Sequence, residues 1–131
     1  MTTYTNKYDD KTEEEKKVIA LAMHLCDGLY DDLTEEEKEE KVEEAREAIN
    51  DGDYEVFTDI EADDRWEEEL ENYLQECIYP DLPENMKCYF DDDSWKRDAR
   101  YDGRGHSISR YDGEEHNEEV DRVTYYIYRQ N

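Results

Sequence analysis

Apolar residues recur at Val18, Leu21, Ala22, Leu25, Cys26 and Leu29. Steps of three and four place them along one side of a helix. Thr12-Glu13-Glu14-Glu15 stands ahead of that run as a capping box, in which the threonine hydroxyl and the third glutamate satisfy free amides at a helix start. The pattern predicts a first helix from Thr12, with Gly28 as its C-cap. A second capping box, Thr34-Glu35-Glu36-Glu37, predicts a second helix whose apolar stripe narrows to Val42, Ala45 and Ile49. Asn50-Asp51-Gly52-Asp53 ends it, since Asn and Gly tolerate the left-handed backbone of a helix stop.

The short β-branched and aromatic run Tyr54 to Thr58 predicts a strand. Helical spacing resumes with Trp66, Leu70, Tyr73, Leu74 and Cys77 on one face, until Pro80 and Pro83 stop it. Glu84 to Tyr89 and Asp93 to Ala99 read as short helical turns, with Asp91-Asp92-Asp93 suited to a helix N-terminus ahead of Ser94. Residues 106–111 and 123–128 predict an antiparallel hairpin around the polar loop DGEEHNEEVDR. The fold class is therefore α+β: about three main helices and a small antiparallel sheet. A chain of 131 residues fits one domain, with Met1 to Lys11 expected as a tail outside it.

Charge changes this picture. The formal net charge is -25 and the pI about 4.2. High charge with low hydrophobicity is the usual signature of disorder, but 12% aromatic content, including twelve tyrosines, and clear apolar periods argue for a folded chain. The charge is also uneven. Residues 31–76 hold twenty-two acids against four bases, whereas the flanking segments are net -2 and -5. The acids Asp31, Asp32, Glu36, Glu39, Glu40, Glu43, Glu44, Glu47, Asp51 and Asp53, with Asp63, Asp64, Glu67, Glu68 and Glu71 beyond the strand, form the candidate partner-binding surface. Like charges four residues apart cost a helix roughly 0.2–0.5 kcal/mol each, so something is expected to offset them. Few helix-borne bases interrupt the rows: Lys38 and Lys41 in the second helix, with Glu37–Lys41 as the favourable pair, and Arg65 in the third. Two such helices together could reach a phosphate-like density.

Several chemistries are excluded by the residues. Nucleic acid and anionic membranes repel such a chain, so neither is expected as a direct partner. No apolar run approaches the roughly 18 residues of a membrane span, and the first residues lack a signal-peptide pattern. Cys26, Cys77 and Cys88 are odd in number and without CxxC spacing, which points to reduced thiols in the cytoplasm. The nearest calcium-loop pattern, Asp98-x-Arg100-x-Asp102-Gly103, has Arg100 at a ligand position and Ser109 where glutamate is needed. His24 and Cys26, two apart on a helix, do not share a face, so no metal site is expected. His106 and His116 have no recognisable nucleophile nearby, and no glycine-rich phosphate loop exists. The expectation is no enzyme and no cofactor. Lys96, Arg97, Arg100, Arg104 and Arg110, interleaved with Trp95, Tyr101 and Tyr111, could stack bases and hold phosphates. The surrounding negative charge favours pairing with the chain's own acids instead, or with acids across a homodimer.

From residue 54 onward one further pattern emerges. The run YLQECIYPDLPENMKCYFDDDSWKRDARYDG resembles the C-terminal part of the ArdA-type antirestriction proteins, in a helix, a turn holding Pro83, the aromatic–acid pair Phe90-Asp91 and the pair Arg97-Asp98. The resemblance covers the second half; the first half, helical from Thr12, departs from it. It implies a phage or mobile-element setting and an acidic, elongated dimer that mimics bent DNA and blocks type I restriction enzymes. Charge and resemblance together lead to a DNA-mimicking inhibitor of a nucleic-acid-binding host defence protein, such as a restriction complex or a CRISPR effector. Its acidic helical surface would occupy the partner's basic DNA channel in the host cytoplasm. The alternative is an acidic interaction module or adaptor without mimicry, binding through Trp66, Trp95 or the tyrosine-rich end.

Overall fold

The computed structural model describes residues 11–131; the tail expected over Met1 to Lys11 lies, apart from exposed Lys11, outside the described residues. Helix α1 (Glu13–Leu25) opens at Thr12, whose hydroxyl accepts from the Glu15 amide at 3.1 Å. It ends before its predicted stop: Cys26 is already extended, Gly28 takes no left-handed turn and Leu29 is 72% exposed. Asp27-Gly28 are poor helix formers, so the apolar stripe loses its last position. Helix α2 (Glu35–Asn50) carries a complete capping box between Thr34 and Glu37, at 3.1 and 3.2 Å. It stops at Gly52, which takes a φ of +78°.

Strand β1 (Tyr54–Phe57) leads into α3 (Asp59–Tyr73), opened by a second complete capping box, between Thr58 and Glu61, whereas α1 has only the Thr12 half of one. The helix then widens into a π turn over Leu74–Ile78. Bonding to the fifth residue shifts the helical phase. Leu70 and Leu74 stay buried, while Tyr73 and Cys77, expected on the same face, turn outward. Short 3-10 turns follow, and α4 (Asp92–Ala99) starts where Asp91 accepts from the Ser94 amide at 3.1 Å. Helix α5 (Arg104–Ile108) comes next.

The C-terminal hairpin is displaced from its predicted position. Residues 104–108 are helical, and the stretch expected as a polar loop contains β2 (His116–Val120), paired with β3 (Val123–Arg129). The inward positions of β2 are His116, Glu118 and Val120, so only one of three is apolar and alternation is hidden. The connecting residues, Asp121 and Arg122, both take left-handed φ values, +55° and +65°. A two-residue type I′ hairpin turn requires this, and it usually recruits Asn-Gly instead.

The sheet is antiparallel in the order β1-β3-β2, with Val56 opposite Ile127 and Glu118 opposite Tyr125. Alternation along β3 sends side chains to both faces. Tyr125 and Ile127, with Val56 and Val120, pack against Ile19, Leu21 and Ala22 of α1 and Ala45 of α2. Tyr128 and Tyr126, with Phe57, pack against Ala62 and Trp66 of α3 and Ile108 of α5. The result is an α+β fold of three layers: α1/α2, the sheet, and α3/α5. Among the described residues, no helix is long and apolar enough to cross a membrane.

Candidate partner-binding surface

Helix α2 turns Val42, Ala45, Ala48 and Ile49 toward the core, which forces its glutamates outward. Glu36, Glu39, Glu40, Glu43, Glu44 and Glu47 are all exposed, and Asp31, Asp32 and Asp51 flank them. Three bases share the helix. Lys38 reaches Glu35 at 3.8 Å and lies over the Tyr30 ring, Lys41 pairs with Glu44 at 3.3 Å, and Arg46 pairs with Glu43. The expected Glu37–Lys41 pair does not form, because the Glu37 carboxylate is held by the Thr34 amide. Arg46 is a third base in this helix, beyond the two lysines expected there. Among the described residues, Glu36, Glu39, Glu40 and Glu47 make no ion pair, nor do Asp32 and Asp51.

Sixteen helical residues span about 24 Å. Eight glutamates over that length give about one per 3 Å, close to the roughly 3.4 Å per charge of a single DNA strand. The three bases lower this to about one net charge per 5 Å. Helix α2 therefore approaches the line charge of one strand.

Helix α3 differs. It lies against the opposite sheet face, so its Asp63, Asp64, Glu67, Glu68 and Glu71 are not brought into one row with α2. Its acids are also answered from within the chain. Lys96 of α4 bridges Glu67 and Glu71, Arg100 reaches Glu67, and Arg65 pairs with Glu69 at 2.9 Å and Glu68 at 3.5 Å. Hydrogen bonds donated by Lys96 to Glu67 and Glu71 raise the Lys96 pKa, and Lys96 in turn lowers that of Glu71. Asp64 alone of the eight α3 carboxylates has no ion pair among the described residues. Asp53, beyond α2, is half-buried and accepts from Asn131.

No family model, curated protein or solved structure matches this chain.

The basic stretch thus largely pairs with the chain's own acids. Arg104 is its centre: it bonds Glu115 at 2.8 Å, Asp59 at 2.8 Å and Asp63 at 2.9 Å, and lies 4.5 Å from the Tyr126 ring centroid. Burial works against its charge, but Glu115 and Asp59 more than offset this and its pKa rises. Glu115 also accepts from the Tyr128 hydroxyl at 2.6 Å. Arg97 and Arg110 make no ion pair among the described residues. Lys17 on α1 reaches Glu61, on the first turn of α3, at 2.9 Å. Burial pushes the Glu61 carboxyl up, but the Thr58 amide and Lys17 together hold it below its ordinary value. Sequence reasoning did not find these partners, which lie up to 45 residues from the acids they neutralise.

A second surface lies between α3 and α4. Tyr73 and Trp95 stack in parallel, 5.5 Å apart, beside a groove of about 630 Å³ that Leu70, Cys77, Ile78 and Ala99 help to line. Tyr73 is 51% exposed there.

Proposed function

We propose that the chain is a DNA-mimicking inhibitor of a DNA-binding host defence protein, a restriction complex or CRISPR effector, and that α2 is the mimicking element. The observation that carries this reading is the unpaired row of Glu36, Glu39, Glu40 and Glu47, in a molecule that neutralises almost every acid of its other long helix. A solvated face would need no such division. The row meets the basic lining of a DNA channel with complementary charge, which speeds encounter and sets register. Repulsion within α2 is relieved when lysines and arginines of the partner approach it. Sequence resemblance to the ArdA-type proteins supports the same setting.

The test is competition between this chain and duplex DNA for a type I restriction enzyme and for CRISPR effectors. Reversing Glu36, Glu39, Glu40 and Glu47 to lysine is expected to reduce inhibition at least roughly tenfold, since close interfacial charge pairs couple by about 1.5 kcal/mol or more. Circular dichroism should remain unchanged. Full inhibition by the folded variant would remove α2 from the mechanism. The stacked Tyr73–Trp95 pair and its groove favour one other reading, an adaptor that binds without mimicry. Partner binding that withstands 0.5 M salt and is lost in Trp95→Ala would support it, because exposed charge contacts are screened within about 10 Å at 0.1 M salt.

A further inference from the structure

Asp112, Glu114 and His116 lie on the segment that enters β2, where a bend at Gly113, with a φ of +69°, brings Asp112 back over the start of the strand. One donor atom from each lies within 4.8 Å of the other two. His116 Nε2 stands 3.8 Å from Asp112 Oδ2 and 3.6 Å from Glu114 Oε2. We propose that this trio is a binding site for a divalent transition-metal ion, with Zn²⁺ the ion its ligand chemistry fits.

Two ligands about 2.1 Å from a tetrahedral zinc lie about 3.4 Å apart. Closing the two separations from His116 takes side-chain movements of only a few tenths of an ångström, and the two carboxylates offer oxygens within 4.8 Å of each other. The imidazole decides the metal class: one nitrogen with two carboxylates suits zinc, whereas Mg²⁺ and Ca²⁺ favour oxygen alone. Asp112 Oδ1 accepts from the Ser109 hydroxyl at 2.9 Å and the Glu114 amide at 3.0 Å, leaving Oδ2 turned to His116. The His24 ring, on α1, packs against that of His116, with centroids 4.7 Å apart and a tilt of 35°. Ninety-two residues separate the two histidines. The sequence search for metals paired His24 with Cys26 and so could not find this arrangement. Three protein ligands on an accessible edge leave a fourth position for water, and the bound ion would fix the segment that enters β2.

The experiment is calorimetric titration of Zn²⁺ into the full reduced chain, alongside His116→Asn and Glu114→Gln, with thermal melts in Zn²⁺ and Mg²⁺. One Zn²⁺ per chain is expected, with a raised Tm and at least roughly tenfold weaker binding in each variant, in line with the sensitivity of metal sites to lost partners. Glu114 makes no other contact that folding needs, so that variant keeps the test sound if His116→Asn is unstable. Co²⁺ as a spectroscopic probe should show no thiolate charge-transfer band, which excludes Cys26, Cys77 and Cys88. Unchanged zinc binding in both variants, a thiolate band, or an equal Tm gain from Mg²⁺ overturns the site.

Discussion

Glu118 lies opposite Tyr125 on the sheet face covered by α1, and burial alone pushes its carboxyl above the ordinary range. A raised folded-state pKa means the protonated form is favoured in the fold. That contribution is fully present below the unfolded value of about 4.3 and is lost as pH rises through the folded value. At pH 7 the charged Glu118 is therefore a cost. Glu118→Gln is expected to raise Tm at pH 7 and to lose its advantage below about pH 4. Glu119→Gln, exposed on the other face, is the comparison; an equal gain there would reduce the effect to net charge. This inward glutamate was not legible in the sequence. Period-two reasoning seeks apolar residues at alternate positions, and His116 and Glu118 occupy two of the three on β2. The individual carboxylates of α2, by contrast, were legible as exposed, because three apolar positions fix which side of a helix faces in.

Among the elements, α5 depends on a close approach that only glycine permits. A Cβ at Gly105 would lie 2.5 Å from the Glu114 carbonyl carbon and 2.6 Å from the Glu115 amide nitrogen. Both are backbone atoms, so neither can swing aside. Gly105→Ala should destabilise the fold by about 1–3 kcal/mol, read as a lower urea midpoint with unchanged slope. A wild-type midpoint would show that α5 can shift away from the strand entry. The helix starts at Thr12 and Thr34 were legible because capping boxes are local signals, as was the cap at Asp91. Helix α5, five residues without an apolar period, was not, nor was the π turn after α3, whose bonding pattern leaves no mark in hydrophobic spacing. The separate fates of α2 and α3 were equally hidden. They read alike as acidic amphipathic helices, and only the tertiary positions of Lys17, Lys96, Arg100 and Arg104 distinguish them.

For the molecule as a whole, the fold class followed from the periods, but the layering did not, since it rests on β3 pairing with both other strands. A net charge of -25 with an unpaired row on α2 leaves long-range repulsion in the folded state. Raising NaCl from 0.02 to 0.5 M is expected to raise Tm, because the Debye length shrinks from more than about 10 Å to a few ångströms. The lysine-reversed α2 variant should show a smaller salt response. A salt-independent Tm in wild type would mean that repulsion is already balanced within the structure. The strand order carries a different implication. β3, the middle strand, is also the last element. Helices α1 and α2 can meet before β3 is in place, but neither helical layer has a complete sheet to settle on until residues 123–129 join β1 to β2. A chain cut before Val123 keeps the α1–α2 contact and loses the strand whose two faces carry both cores.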